Sequence, residues 1–262
     1  MSAAPATADV GVERDGHVAV VEMRRPPHNF FDVPLIAALA DALESLEADP
    51  DCRAVVLCAQ GSSFCAGADF SRREAAPERA SPRAVNPVYH EALRMFATGK
   101  PIVAAIQGPA VGGGLGLALV ADFRIACPEA RFSANFNRLG FHPGFGLSVT
   151  LPRLVGEQKA ALLFYTGRRI DGAEAAAIGL ADELVPAERV RPRAIELATE
   201  IATSSPLAVQ STRATLRAGL VERIRAAVAR ESVEQNRQFR SEDFREGVKA
   251  MAERRPPVFR GR

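Results

Sequence analysis

Ile102-Val103-Ala104-Ala105-Ile106 is an apolar run that ends against Gly108-Pro109-Ala110-Val111-Gly112-Gly113-Gly114, after which residues 115–120 are apolar again. So short a run, rich in β-branched residues and preceded by Pro101, reads as a strand buried on both faces. The glycines end it, and the apolar stretch beyond, broken only by Gly116, reads as a buried helix. Strand, glycine turn and helix in that order expose backbone N–H groups at a helix start, where the dipole favours negative charge. Glycine there lets a ligand approach the backbone with no Cβ in the way.

The same order occurs earlier in the chain. Ala54–Ala59 is apolar throughout, Gln60-Gly61-Ser62-Ser63 is a turn, and Phe64-Cys65-Ala66-Gly67-Ala68-Asp69-Phe70 follows. Val18–Met23 and 123–127 read as further strands. Pro34 opens a helical pattern with Leu35, Leu39, Ala42, Leu43 and Leu46 on one face, and residues 88–97 predict another helix. Alternating strands and helices point to an α/β fold with parallel strands. From Glu157 onward the pattern is almost entirely helical, in at least three segments, with breaks at Gly167, Gly172, Gly179, Pro186, Pro206 and Gly219. Residues 72–87, charged and carrying Pro77, Pro82 and Pro87, are the best candidate for an irregular segment.

Composition narrows the function classes. Lys plus Arg is 33 and Asp plus Glu is 31, a balance that gives no support to nucleic-acid binding. The excess positive charge is local: residues 249–262 carry Lys249, Arg254, Arg255, Arg260 and Arg262 against Glu253 alone. Such a tail is either solvated or a patch for the phosphates of a small ligand. Cys52, Cys58, Cys65 and Cys127 have no C-x-x-C spacing, so neither a metal site nor a disulfide framework is expected. With no apolar run long enough for a membrane span, a cytoplasmic protein with no membrane partner is expected. The glycine run fails G-x-G-x-x-G, and there is neither a P-loop nor a G-x-S-x-G elbow.

The two loops carry a resemblance. Phe64-Cys65-Ala66-Gly67-Ala68-Asp69-Phe70 is similar to the first oxyanion loop of the crotonase (enoyl-CoA hydratase/isomerase) superfamily, and the segment from Lys100 to Gly114 is similar to its second. Phe164-Tyr165-Thr166-Gly167-Arg168-Arg169-Ile170, with 173–180 and Val185-Pro186, resembles the family's helical linker; Glu246-Gly247 and Glu253-Arg254-Arg255 resemble its tail. The resemblance implies a superhelix of strand–strand–helix units over residues 1–200 and a C-terminal helical trimerisation region over 201–262. It further implies a homotrimer or a dimer of trimers that acts on an acyl-CoA thioester, with no cofactor beyond the coenzyme A of the substrate. The Ala68 and Gly113 N–H groups would form the oxyanion hole. Ala66, Gly112, Phe136, Asn137 and Phe141 would line the substrate site, and Arg25, Arg72 and Arg254 would hold coenzyme A.

The chain departs from the hydratase pattern at three places. The family's two glutamates fall at Gly116 and Phe136, and the aspartate of other members falls at Gly144. Adding water across a double bond needs a base and an acid, and none of these residues is either. His142 in Gly140-Phe141-His142-Pro143-Gly144 and His90 beside Tyr89 are the candidates to move a proton instead. Asn135 and Asn137 could orient a water or a carbonyl; Asp69 reads as structural. Phe30, Phe31, Phe136, Phe141 and Phe145 could shape an apolar acyl pocket, with ordinary core packing as the alternative.

Overall fold

The computed structural model describes residues 8–69 and 84–262, within which two sheets and ten α-helices are found. The larger sheet holds β1 (Val10–Asp15), β2 (Val18–Met23), β3 (Ala54–Ala59), β4 (Ile102–Ile106), β6 (Phe123–Ala126) and β9 (Glu183–Leu184), ordered β1-β2-β3-β4-β6-β9. The smaller holds β5 (Ala110–Val111), β7 (Arg131–Ser133) and β8 (Arg169–Asp171). β4 is buried at every residue and β3 at all but Ala59, as continuous apolar runs require. All pairs in the larger sheet are parallel except β1–β2, an antiparallel hairpin. β1 escapes an apolar-run reading because it is an edge strand whose Glu13, Arg14 and Asp15 face solvent. The almost entirely helical stretch beyond Glu157 is interrupted by β8 and β9, which the sequence pattern does not show. Each is too short to carry a pattern, and each exists because the chain passes a sheet edge there.

The helices are α1 (Val33–Glu47), α2 (Pro87–Phe96), α3 (Gly113–Ala118), α4 (Leu147–Val155), α5 (Glu157–Thr166), α6 (Gly172–Ala177), α7 (Val190–Thr203), α8 (Pro206–Leu216), α9 (Leu220–Gln238) and α10 (Glu242–Ala252). Asp32 caps α1 by accepting from Leu35 N at 3.0 Å, and Asn86 caps α2 through Val88 N. Val190, Ala194, Ala198 and Ala202 line the buried face of α7, which packs on β3, β4 and β6. Small residues on that stripe let the helix lie close to the sheet.

A strand of the large sheet leading to a short strand or bridge and then a helix is the repeating unit. β3 leads to a parallel bridge at Cys65, β4 to β5 and α3, and β6 to β7. This is the superhelix of strand–strand–helix units. The C-terminal helices close over the core of their own chain: α9 packs on α2 and α4, and α10 on the 3₁₀ helix Asn135–Leu139. No described helix is long and apolar enough to cross a membrane.

Candidate active site

The loop after β3 runs between two other segments. On one side, Phe31 N donates to Gly67 O at 3.0 Å and Ala66 N to His28 O at 2.9 Å. On the other, Cys65 N donates to Pro109 O and Val111 N to Cys65 O, both at 3.0 Å, around the Cys65–Ala110 bridge. Ala68 and Gly113 stand the same three residues beyond that bridged pair, so their amides share one end of it. A Cβ placed on Gly67 would lie 2.8 Å from Val111 O and 4.0 Å from Gly113 N, a direct measure of how closely the loops approach. Gly67 (φ +91°) and Gly112 (φ +56°) hold conformations that a side chain disfavours.

Gly113 is the first residue of α3 and has no intrahelical acceptor. Neither the Ala68 N–H nor the Gly113 N–H donates to an acceptor among the described residues. By contrast, the Gly112 N–H is spent on Ser133 O at 2.8 Å, anchoring the second loop to β7, and the Ala66 N–H is spent on His28 O. Two unpaired amides at adjoining loop ends can receive one oxyanion, each donor contributing about 3 kcal/mol where charge develops.

Aromatic rings crowd this place. A Cβ on Gly113 would meet Phe31 Cζ at 2.4 Å and Phe145 Cδ2 at 3.6 Å. At Gly116 it would meet Phe145 Cβ at 2.7 Å, so a ring fills the room a side chain at 116 would take. Phe145 has φ +62°, rests 5.8 Å from the Phe31 ring and meets Tyr89 and Phe96 edge-on at 6.2 and 6.5 Å. Phe136 lies near Gly112 and packs edge-on with Phe141 at 5.4 Å; Phe141 in turn meets Phe239 and Phe244.

The proton-transfer candidates are placed differently from one another. His142 is half-buried on the loop before α4. Its N–H donates to Gln238 Oε1 at 2.6 Å, and its Nδ1 lies 2.7 Å from Pro143 O. His90 is exposed on α2, while Tyr89 is buried with its hydroxyl donating to Gln235 Oε1 at 2.8 Å. That hydroxyl takes the space beside Gly144, where a Cβ would come within 1.9 Å of it. A sequence signal for this exists: Tyr89, Ala92, Leu93 and Phe96 are spaced as one apolar helical face, which His90 does not share. Gln235 and Glu231, both buried on α9, leave no such signal, because their partners are distant in the chain. Gln235 Nε2 donates to His142 O at 2.8 Å. Glu231 accepts from Gly146 N at 2.9 Å, Ser148 N at 3.2 Å and the Ser148 hydroxyl, so it caps α4; burial holds its pKa above the ordinary value. Burial likewise pushes the Cys65 thiol up to about 12, which leaves it no nucleophile.

Of the basic candidates, Arg25 and Arg254 fall among the described residues. Arg25 is held by Asp9 and by Asp32, each at 2.7 Å, with its side chain about a quarter exposed. Arg254 is exposed with φ +54°, and Arg72 falls outside the described residues. The tail is not simply solvated: Arg255 binds Glu246 and Glu253, Arg262 binds Glu242, and Asp243 accepts from Arg260 N and Gly261 N. Asn137 lines a cleft of about 430 Å³ with Gln238, Asp243 and this tail. A larger cleft, about 620 Å³, lies between α4, α7 and α8 and is lined by neither Ala68 nor Gly113.

Known proteins resemble this chain over nearly its whole length. A family model described as enoyl-CoA hydratase/isomerase matches residues 13–262. The crotonyl-CoA hydratase of Syntrophomonas wolfei is 33% identical over 253 residues, covering 95% of this chain and 96% of its own. The enoyl-CoA hydratase EchA19 of Mycobacterium tuberculosis is 33% identical over 258 residues, covering 97% of each. The crystal structure of an enoyl-CoA hydratase/isomerase from Pseudoalteromonas atlantica T6c superposes with a TM-score of 0.87 at 32% identity, covering 96% of this chain and all of that one. The chain therefore belongs to the enoyl-CoA hydratase/isomerase family, the crotonase superfamily.

Proposed function

We propose that this chain is an enzyme of the enoyl-CoA hydratase/isomerase type. It binds an acyl-CoA thioester so that the Ala68 and Gly113 amides hold the thioester oxygen, stabilising an enolate. The observation that supports this reading is that both amides are unpaired among the described residues and each stands three residues beyond the bridged Cys65–Ala110 pair. Preorganised donors aimed at an oxygen that gains charge lower the barrier without binding the ground state equally well. Ordinary two-glutamate hydration does not fit, because Phe136 and a Phe145-covered Gly116 stand where its carboxylates would be. The proton is moved by another group: His142 among the histidines, with Tyr89 nearer to Gly144 than His90 is.

Hydration, double-bond shift, decarboxylation and C–C cleavage all pass through such an enolate, so a panel of enoyl- and malonyl-type thioesters tests the reading. Turnover of any member, followed by loss of thioester conjugation or by product analysis, supports it. His142→Ala is then expected to abolish turnover while binding persists; unchanged turnover removes His142 from the mechanism. The missing carboxylates favour one rival, a non-catalytic acyl-CoA binding protein, and micromolar binding with no turnover across the panel would establish it.

Assembly as a homotrimer or paired trimers, in the cytoplasm, belongs to the same reading. The exposed Leu207 and Leu216 on α8, beside the larger cleft, support an oligomer; light scattering of the purified protein tests it.

A further inference from the structure

Phe145 and Gly116 form an interlocked pair. The Phe145 ring occupies the volume a side chain at 116 would need and also lies 3.6 Å from where a Cβ on Gly113 would stand. Phe145 is fully buried and pinned by Phe31, Tyr89 and Phe96, and it holds φ +62°, a region that bulky L residues avoid unless surrounding structure imposes it. A thioester whose oxygen sits between Ala68 and Gly113 would bring its first acyl carbons toward these rings, because Phe31 and Phe145 both border Gly113. A ring held on three sides cannot swing away as a free side chain could.

We propose that Phe145 sets the acyl-group size, and that the substrates are thioesters of small acyl groups, no bulkier than butyryl. The proposal rests on the thioester reading above. Packed interiors do not open for added methylenes without displacing a neighbour. In a pocket with room, each buried methylene instead raises affinity about fourfold.

The test is a binding series on the full-length protein by calorimetry: coenzyme A alone, then acetyl-, butyryl-, hexanoyl-, octanoyl- and decanoyl-CoA. Wild type is expected to gain affinity up to butyryl-CoA and none beyond it. Phe145→Gly, which also relieves the positive φ, is expected to bind octanoyl-CoA at least tenfold better relative to butyryl-CoA than wild type does. Phe145→Leu should fall between. Steady fourfold-per-methylene gains to decanoyl-CoA in wild type would overturn the proposal, as would an unchanged chain-length ratio in folded variants. If no acyl-CoA binds better than coenzyme A itself, the thioester reading falls, and Phe145 with it.

A second readout needs no ligand. Gly116→Glu is expected to lower the melting temperature in wild type and to cost much less in the Phe145→Gly background; equal losses in both would show that the two positions do not share a space.

Discussion

In the proposed reading Ala68 and Gly113 act through backbone atoms, so their mark in a sequence is the chain conformation their neighbours demand. Gly67, Gly112 and Gly114 announce it: a Cβ on Gly114 would sit 2.1 Å from Cys65 O, a backbone atom that cannot turn aside as a flexible side chain could. Ala68→Pro replaces one N–H by the ring Cδ. The expected outcome is a loss of about 10²–10³-fold in kcat with acyl-CoA binding largely retained. Steady-state kinetics on a turned-over thioester, beside a melting curve showing the variant folded, checks this. The side-chain candidates were less legible. Helical spacing alone separates Tyr89 from His90, but a loop histidine such as His142 carries no periodicity from which to infer its neighbours.

At the scale of elements, α9 and α10 are held by carboxylates that act as caps and clamps. Glu231 lies under the start of α4 and satisfies two backbone N–H groups and a hydroxyl. Glu231→Gln keeps the shape but turns an amide NH₂ toward one of those donors. Stability is expected to fall by about 1–3 kcal/mol in a urea titration. Glu246 clamps the tail through Arg255 and Val258 N, and the Arg255 guanidinium lowers its pKa from the ordinary 4.5 to about 2. A carboxylate with a depressed folded pKa stabilises above its unfolded value, and that contribution is lost as pH falls through the folded one. The difference in melting temperature between wild type and Glu246→Gln, present at neutral pH, is therefore expected to shrink between pH 4.5 and about 2. Scanning calorimetry across that range measures it.

Over the whole molecule, one carboxylate ties the C-terminal helices to the sheet. Asp122, just before β6, accepts from Ile102 N at 2.9 Å, from Arg213 at 2.9 Å and from Arg217 at 2.8 Å. Both arginine side chains are about nine-tenths buried, and each has an Nη2 with no partner among the described residues. Asp122→Ala would leave two buried cations unpaired, an expected loss of about 3–5 kcal/mol, measured by denaturant unfolding.

The sequence by itself determined the strand–turn–helix order, which follows from apolar runs that must be buried and glycines where the backbone must come close; the resemblance of the two loops pointed to the family and, through it, to the proposed amide pair. Only the tertiary structure decided that Phe145 fills the space at Gly116, that Tyr89 faces inward beside Gly144, that Glu231 caps α4 and that the basic tail is clamped by α10. Each of these joins residues whose proximity is created by the packing of separate elements. Neither partner's local pattern carries the other's address.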